Sequence, residues 1–183
     1  ITWKESLENM IRFGKPIFLA TGASEFFEVE RAINLINGNN LPVILMQCNT
    51  NYTGEESNFD YINLRVILEY SKKFPNCILG LSDHSMGSVA VLGAVALGAR
   101  IIEKHFTDDT TRTGPDHAFS LNPKTWANMV LETRNLERCL GDGIKVVEKN
   151  EISSRIIQRR ALRYTKNLKK GDILNFTDLI AVR

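Results

Sequence analysis

Short apolar runs alternate with amphipathic stretches through residues 1–141, and this alternation constrains the fold more than any other feature. "PIFLATG" (16–22), "PVILMQC" (42–48), "CILGLSD" (77–83) and "RIIEKHF" (100–106) have strand length and are apolar almost throughout. Each is followed by a stretch of helical character: "SEFFEVERAINLING" (24–38), "FDYINLRVILEYSKKF" (59–74), "SVAVLGAVALGA" (88–99) and "NPKTWANMVLETRNLERCLG" (122–141). In the first of these, Phe26, Val29, Ile33 and Ile36 recur at helical intervals, with Ser24 as the expected N-cap and Gly38 as the stop. Asn122 and Pro123 suit the N-cap and first position of the last helix. "TWKESLENMIRFG" (2–14) reads as a helix leading into the first strand. Strands alternating with helices of this length form parallel βαβ units. Strands apolar along their whole length are those covered on both faces. Four units of about thirty residues each fit half of a barrel of eight strands, or an open doubly wound sheet.

The character changes after Gly141. "GDGIKVVEKNEISSR" (141–155) is polar and linker-like, and "ALRYTKNLKKGDILNFTDLIAVR" (161–183) holds short strand candidates around a "KKGD" turn. The expected organisation is an α/β unit over 1–141, a linker over 142–157 and the start of a small β-rich domain over 158–183. On this reading the sequence is a fragment at both ends. Hydrophobic residues make up 43% of the chain, enough for a sizeable core. Lys and Arg number 23 against 21 Asp and Glu, a net charge of +2, so no nucleic acid or anionic membrane partner is expected. The densest cationic stretch, 155–170, reads as solvated surface. No apolar run approaches the ~20 residues that span a bilayer, and the charged N-terminal stretch is no signal peptide. Cys48, Cys77 and Cys139, odd in number and widely spaced, read as buried reduced thiols of a cytoplasmic protein. Trp3, Trp126 and the Phe26/Phe27 pair read as packing residues. No spacing pairs Cys48 with a histidine, so a nucleophilic role is not expected of it.

In parallel α/β folds the functional groups gather where the loops leave the C-terminal ends of the strands. That rim collects Thr21 and Gly22, Cys48 to Tyr52, Ser82 to His84, and His105 to Asp109. Two of the three histidines, His84 and His105, close successive strands. Either one alone reads most simply as a polar residue capping a strand. Placed at equivalent ends of neighbouring strands, the two become a candidate pair of metal ligands, because neutral imidazole is the commonest ligand of catalytic divalent metals. Two protein ligands leave positions open for water and substrate, which suits Mn²⁺, with Mg²⁺ or Co²⁺ as alternatives, better than a closed zinc site. The loop "TDDTTRTGPDHAFSLNP" (107–123) adds carboxylates, Arg112 and His117, and is either a solvated connector or a flap over a ligand. No Walker-type or Gly-x-Gly-x-x-Gly signature supports nucleotide binding.

"GLSDHS", "GAVALGARIIEKHFT" and "GPDHAFSLNP" together resemble the sialic acid synthase family, which makes nonulosonic acids such as N-acetylneuraminate. The segment "RRALRYTKNLKKGDILNFTDLIAVR" is similar to the opening of that family's C-terminal antifreeze-like (SAF) domain. The resemblance runs through essentially the whole chain in family order. It implies a (β/α)₈ TIM barrel, of which this chain holds about the last four βα units, followed by the start of the SAF domain. It implies condensation of phosphoenolpyruvate with an N-acyl hexosamine, N-acetylmannosamine or a related bacterial sugar, with release of phosphate by C–O cleavage. The same resemblance makes His84 and His105 the metal ligands, Ser82 a phosphate contact, and Asp116 and Tyr52 sugar or substrate contacts. It sends Arg183 into a partner subunit's active site, hence a domain-exchanged homodimer.

The chain departs from the family in places. "QCNTNYTGE" stands where relatives often carry a proline-containing "CT.YP" pattern, which leaves Thr50 a weak candidate contact. Thr113 stands where some relatives have proline. The family's N-terminal half-barrel, with a glutamate and two lysines used in catalysis and phosphoenolpyruvate binding, has no counterpart in residues 1–183, so these residues alone are expected to be inactive. Two other readings fit the rim: another metal-dependent barrel aldolase or phosphoenolpyruvate-condensing synthase, and a non-catalytic carbohydrate-binding module.

Overall fold

All four apolar runs form strands in the computed structural model, which describes residues 1–183. β1 (Ile17–Ala20), β2 (Val43–Cys48), β3 (Ile78–Asp83) and β4 (Ile101–Lys104) lie side by side in that order, and every pairing is parallel. With α1 (Lys4–Ile11), α2 (Phe26–Asn37), α3 (Val66–Lys73), α4 (Val89–Ala96) and α5 (Pro123–Leu140) they make a first unit, Ile1–Gly141. The sheet is curled, half the wall of a TIM barrel.

Strand side chains alternate between faces, and the helices claim one face. Ile17, Leu19, Val43 and Leu45 pack with Val29, Ile33, Ile36, Tyr70 and Phe74 in one buried cluster. Leu81 packs with Ile67, Ala90, Val91, Ala94 and Met129 in a second. Full burial of a side chain such as Ile33 or Leu45 contributes roughly 1.5–3 kcal/mol against leaving it in water. The register then fixes what the other face presents. Cys48 lies opposite Ser82 and Ser82 opposite Glu103, so the polar residues form one row near the strand ends. Lower on this face Phe18 is 57% exposed, as expected of a residue on the inner wall of half a barrel.

Local rules account for most boundaries and for the departures. Asn122 caps α5 with Pro123 in the first turn, as expected, and Thr125 closes a capping box with it. Glu25, not Ser24, caps α2, because Glu25 and Glu28 cap one another's backbone while the Ser24 hydroxyl turns back to the Gly22 carbonyl. The stretch read as one helix over 59–74 divides into a 3₁₀ segment, Glu56–Tyr61, and α3, because Asn63 takes a left-handed φ of 48°. Trp3 is no packing residue: it precedes α1 and is 70% exposed. Phe27 is also exposed, whereas Phe26 stacks partly on Phe74 and Tyr70. Of the three cysteines Cys48 is buried as expected, but Cys139, in the last turn of α5, is exposed.

The second unit, Asp142–Arg183, carries a 3₁₀ turn (Lys149–Glu151), α6 (Ile152–Gln158) and an antiparallel pair, β5 (Ala161–Tyr164) with β6 (Leu179–Val182). Much of the 142–157 stretch expected to be linker is therefore helical. Ile156, Ile173 and Phe176 are widely exposed, and the one buried residue of this unit is Asp178. Asp178 accepts hydrogen bonds from Lys166 (2.6 Å) and from the Asn175 backbone (3.0 Å), tying the turn between the two strands. No helix of the chain is long and apolar enough to cross a membrane.

Candidate functional site

The site is built where β2, β3 and β4 end. His84 follows Asp83, the last residue of β3, and His105 follows Lys104, the last residue of β4. Because Asp83 and Lys104 are register partners, the two histidines leave the sheet side by side. Their ring centroids are 5.1 Å apart. Tyr52 lays its ring against both, 4.5 Å from His84 and 5.7 Å from His105. On the far side of His105, buried Phe119 completes the aromatic wall at 5.1 Å.

Each imidazole is held in a defined state. Nδ1 of His84 lies 2.9 Å from the Asn49 carbonyl oxygen. A carbonyl can only accept, so Nδ1 is the donor and Nε2 is the ring nitrogen left to face a ligand. His105 has its pKa pushed below the ordinary histidine value, first by burial and then by His84, with Asp116 partly opposing. It is therefore neutral at pH 7 and able to coordinate. Asp116, brought over by the loop after β4, places Oδ2 3.7 Å from Nδ1 of His105.

Most of the expected site residues from the first unit converge here. His84, His105, Tyr52 and Asp116 share one surface. Thr50 lies beside Cys48, its Oγ1 3.6 Å from Sγ. Ser82 is buried in the strand, and its hydroxyl donates to Glu103 Oε1 at 2.8 Å. Arg183 ends the second unit, beyond β6. The third histidine is elsewhere in the loop: His117 Nδ1 pairs with the Thr107 hydroxyl at 2.7 Å.

Several neighbours were not legible in the sequence. Cys48 does have a histidine beside it, with Sγ 3.8 Å from His84 Nδ1. The Nδ1 proton is already directed at Asn49, so the sulfur is a lateral contact and not an acid–base partner. Glu103 was missed because it sits inside an apolar run. Its place two residues before His105, on the same face of β4, was the available signal. Lys104 and Asp83 form a buried ion pair at 2.6 Å beneath the histidines.

The donor set can be tested for a metal on its own chemistry. No group of three or more His, Cys, Asp or Glu side chains converges as a cation cage. Two imidazoles side by side, with Nδ1 of His84 directed at a carbonyl, could supply two ligands and leave the other positions open, a donor set that suits a catalytic cation better than a structural one.

The NeuB family profile matches residues 1–145. The chain is 35% identical over 180 residues to the N,N'-diacetyllegionaminic acid synthase of Campylobacter jejuni, covering 97% of this chain and 53% of that protein. It is 30% identical over 177 residues to human N-acetylneuraminate-9-phosphate synthase, covering 97% and 48% respectively. Among solved structures, the N-acetylneuraminic acid (sialic acid) synthetase of Leptospira borgpetersenii, in complex with citrate, superposes with a TM-score of 0.73 at 33% identity, covering 84% of this chain and 53% of that one. The chain spans about half the length of the curated relatives it matches. The order of its elements, the barrel-wall topology and the matches over most of its length agree: the chain belongs to the NeuB family.

Proposed function

We propose that these residues form part of a nonulosonic (sialic) acid synthase, which condenses phosphoenolpyruvate with an N-acyl hexosamine, N-acetylmannosamine or a related sugar. The observation that carries this reading is the placement of His84 and His105 with ring centroids 5.1 Å apart at neighbouring strand ends, in a chain of this family. His84 and His105 hold a divalent cation, Mn²⁺ in the first instance and Mg²⁺ or Co²⁺ as alternatives. When bound, the cation supplies Lewis-acid polarisation of the acceptor's aldehyde oxygen. The new bond joins C3 of phosphoenolpyruvate to the aldehyde carbon. Water adds to the oxocarbenium left at C2, and the C2–O bond to phosphate then breaks, with inorganic phosphate as leaving group.

The chain's own residues position these partners. Tyr52, with its ring against both imidazoles and half exposed, offers a face to the sugar. Asp116 accepts from sugar hydroxyls beside His105, and Thr50 contributes a contact at the edge. Ser82 donates to the phosphate by turning its hydroxyl away from Glu103. Arg183 reaches the N-acyl group of the acceptor in a partner subunit, within a domain-exchanged homodimer. A glutamate and two lysines come from the remainder of the full-length protein, so residues 1–183 alone are inactive. The substrates are metabolites of the cytoplasm, and the enzyme works there.

Phosphate release from phosphoenolpyruvate, assayed with the full-length protein across a panel of N-acyl hexosamines, tests the reading. Release with one acceptor sugar and none without it is expected. Release indifferent to the sugar, or cleavage of a preformed sugar acid without phosphoenolpyruvate, turns the assignment to another barrel chemistry. Sugar binding without any turnover points to a carbohydrate-binding module.

A further inference from the structure

On the helix side of the sheet, directly beneath the two imidazoles, Lys104 Nζ lies 2.6 Å from Asp83 Oδ2, with side chains only 1% and 2% exposed. Lys104 also donates to the Ser85 carbonyl. The other carboxylate oxygen, Oδ1 of Asp83, accepts from both the backbone N–H (2.9 Å) and the hydroxyl (2.7 Å) of Ser85. These bonds close around His84: Asp83 precedes it, Ser85 follows it, and both are tied to one ammonium group. That ammonium belongs to the residue covalently next to His105. A pair buried this deeply is weak evidence for stability, since apolar residues of similar volume often serve as well. Its bonds instead fix the two turns from which the imidazoles project.

We infer that the Lys104–Asp83–Ser85 network is a positioning clamp that sets the separation and aim of His84 and His105 as a ligand pair. The inference rests on the metal reading proposed above. Asp83 and Ser85 fix the backbone on both sides of His84, and Lys104 fixes the point at which the chain leaves β4 for His105. None of the three touches substrate or metal. Each acts through a histidine, in the manner of the outer-shell groups that orient metal ligands.

The test is the Mn²⁺ dissociation constant of the full-length protein, measured by calorimetry alongside its Tm. The charge-free double variant Asp83→Leu/Lys104→Met removes the clamp without leaving an unpaired buried charge. It is expected to keep Tm within a few degrees and to bind Mn²⁺ about 10–100-fold more weakly. Ser85→Ala keeps the ion pair and removes one bond of the network, so a loss of about tenfold is expected, the low end of the same range. Should the double variant not fold, Ser85→Ala decides alone. A pair that only stabilises the fold moves Tm and leaves the dissociation constant unchanged. Wild-type protein that binds no Mn²⁺ overturns the metal reading and this inference with it. Mn²⁺ bound by the wild type and lost in His84→Ala, but held equally by the double variant and by Ser85→Ala, overturns the inference alone.

Discussion

The imidazoles of His84 and His105 stand 5.1 Å apart, centroid to centroid, with 59° between their planes. They follow different strands and are separated by a helix in sequence, yet the parallel register makes them neighbours. Replacing either with alanine should remove one of two protein ligands. Mn²⁺ affinity should fall by more than the roughly 10–100-fold cost of losing an outer-shell partner, and phosphate release should fall with it. Both rings are partly exposed, so the stability change should stay within about 1 kcal/mol. Calorimetry and thermal denaturation of the two variants check both statements.

Gly54 sits at φ +67°, and a Cβ there would meet the Cβ of Phe119 at 2.9 Å. Phe119 is buried and backs His105. Gly54→Ala therefore combines an unfavourable left-handed conformation with overpacking, at a cost of about 1–3 kcal/mol. Relief of the clash moves Phe119, so the variant should bind Mn²⁺ more weakly as well as melt earlier. An unchanged Tm would show that the loop absorbs the methyl group.

Cys48 offers a contrasting case. Its sulfur is 3.8 Å from His84 Nδ1, but the Asn49 carbonyl at 2.9 Å fixes the tautomer. Cys48→Ala should cost about 1 kcal/mol through a small void. Its effect on Mn²⁺ affinity should fall well short of the roughly 10-fold minimum seen for orienting partners. A loss of that size or more would make the thiol, and not the carbonyl, the group that holds His84.

In the second unit, the hydrogen bond from Lys166, followed by that from the Asn175 backbone, depresses the pKa of Asp178. The unfolded chain then binds more protons than the folded one between the two values, so stability rises with pH across that interval. The contribution is complete above the ordinary aspartate value of about 3.9 and is lost as pH falls through the lower folded value. The Thr165 amide donates to the Asp178 carbonyl at 2.9 Å, and its protection against hydrogen exchange, relative to the unfolded chain at the same pH, should fall in that acidic window. Asp178→Asn should remove this pH dependence while leaving exchange in the first unit unchanged.

The strands and their direction were legible because apolar runs of strand length that alternate with helices have few other uses. The pairing of His84 with His105 was legible for the same reason: equivalent strand ends in a parallel sheet are adjacent. Ser24 was misjudged because a local contest between two capping groups depends on backbone turns that residue type alone does not reveal. Trp3 was misjudged because an apolar residue beside a helix is buried only if another element covers it. The Lys104–Asp83 pair stayed hidden because each charge reads as a surface residue until the register sets one opposite the other. The contact of Cys48 with His84 depends on how the chain turns at Asn49, which no spacing rule describes.

Pulsed electron paramagnetic resonance of the Mn²⁺-loaded full-length protein tests the central claim most directly, because it detects nitrogen bound to the metal. The account predicts couplings to two histidine nitrogens in the wild type and to one in each of His84→Ala and His105→Ala. A wild-type spectrum without histidine nitrogen coupling, or one unchanged by either substitution, would contradict it.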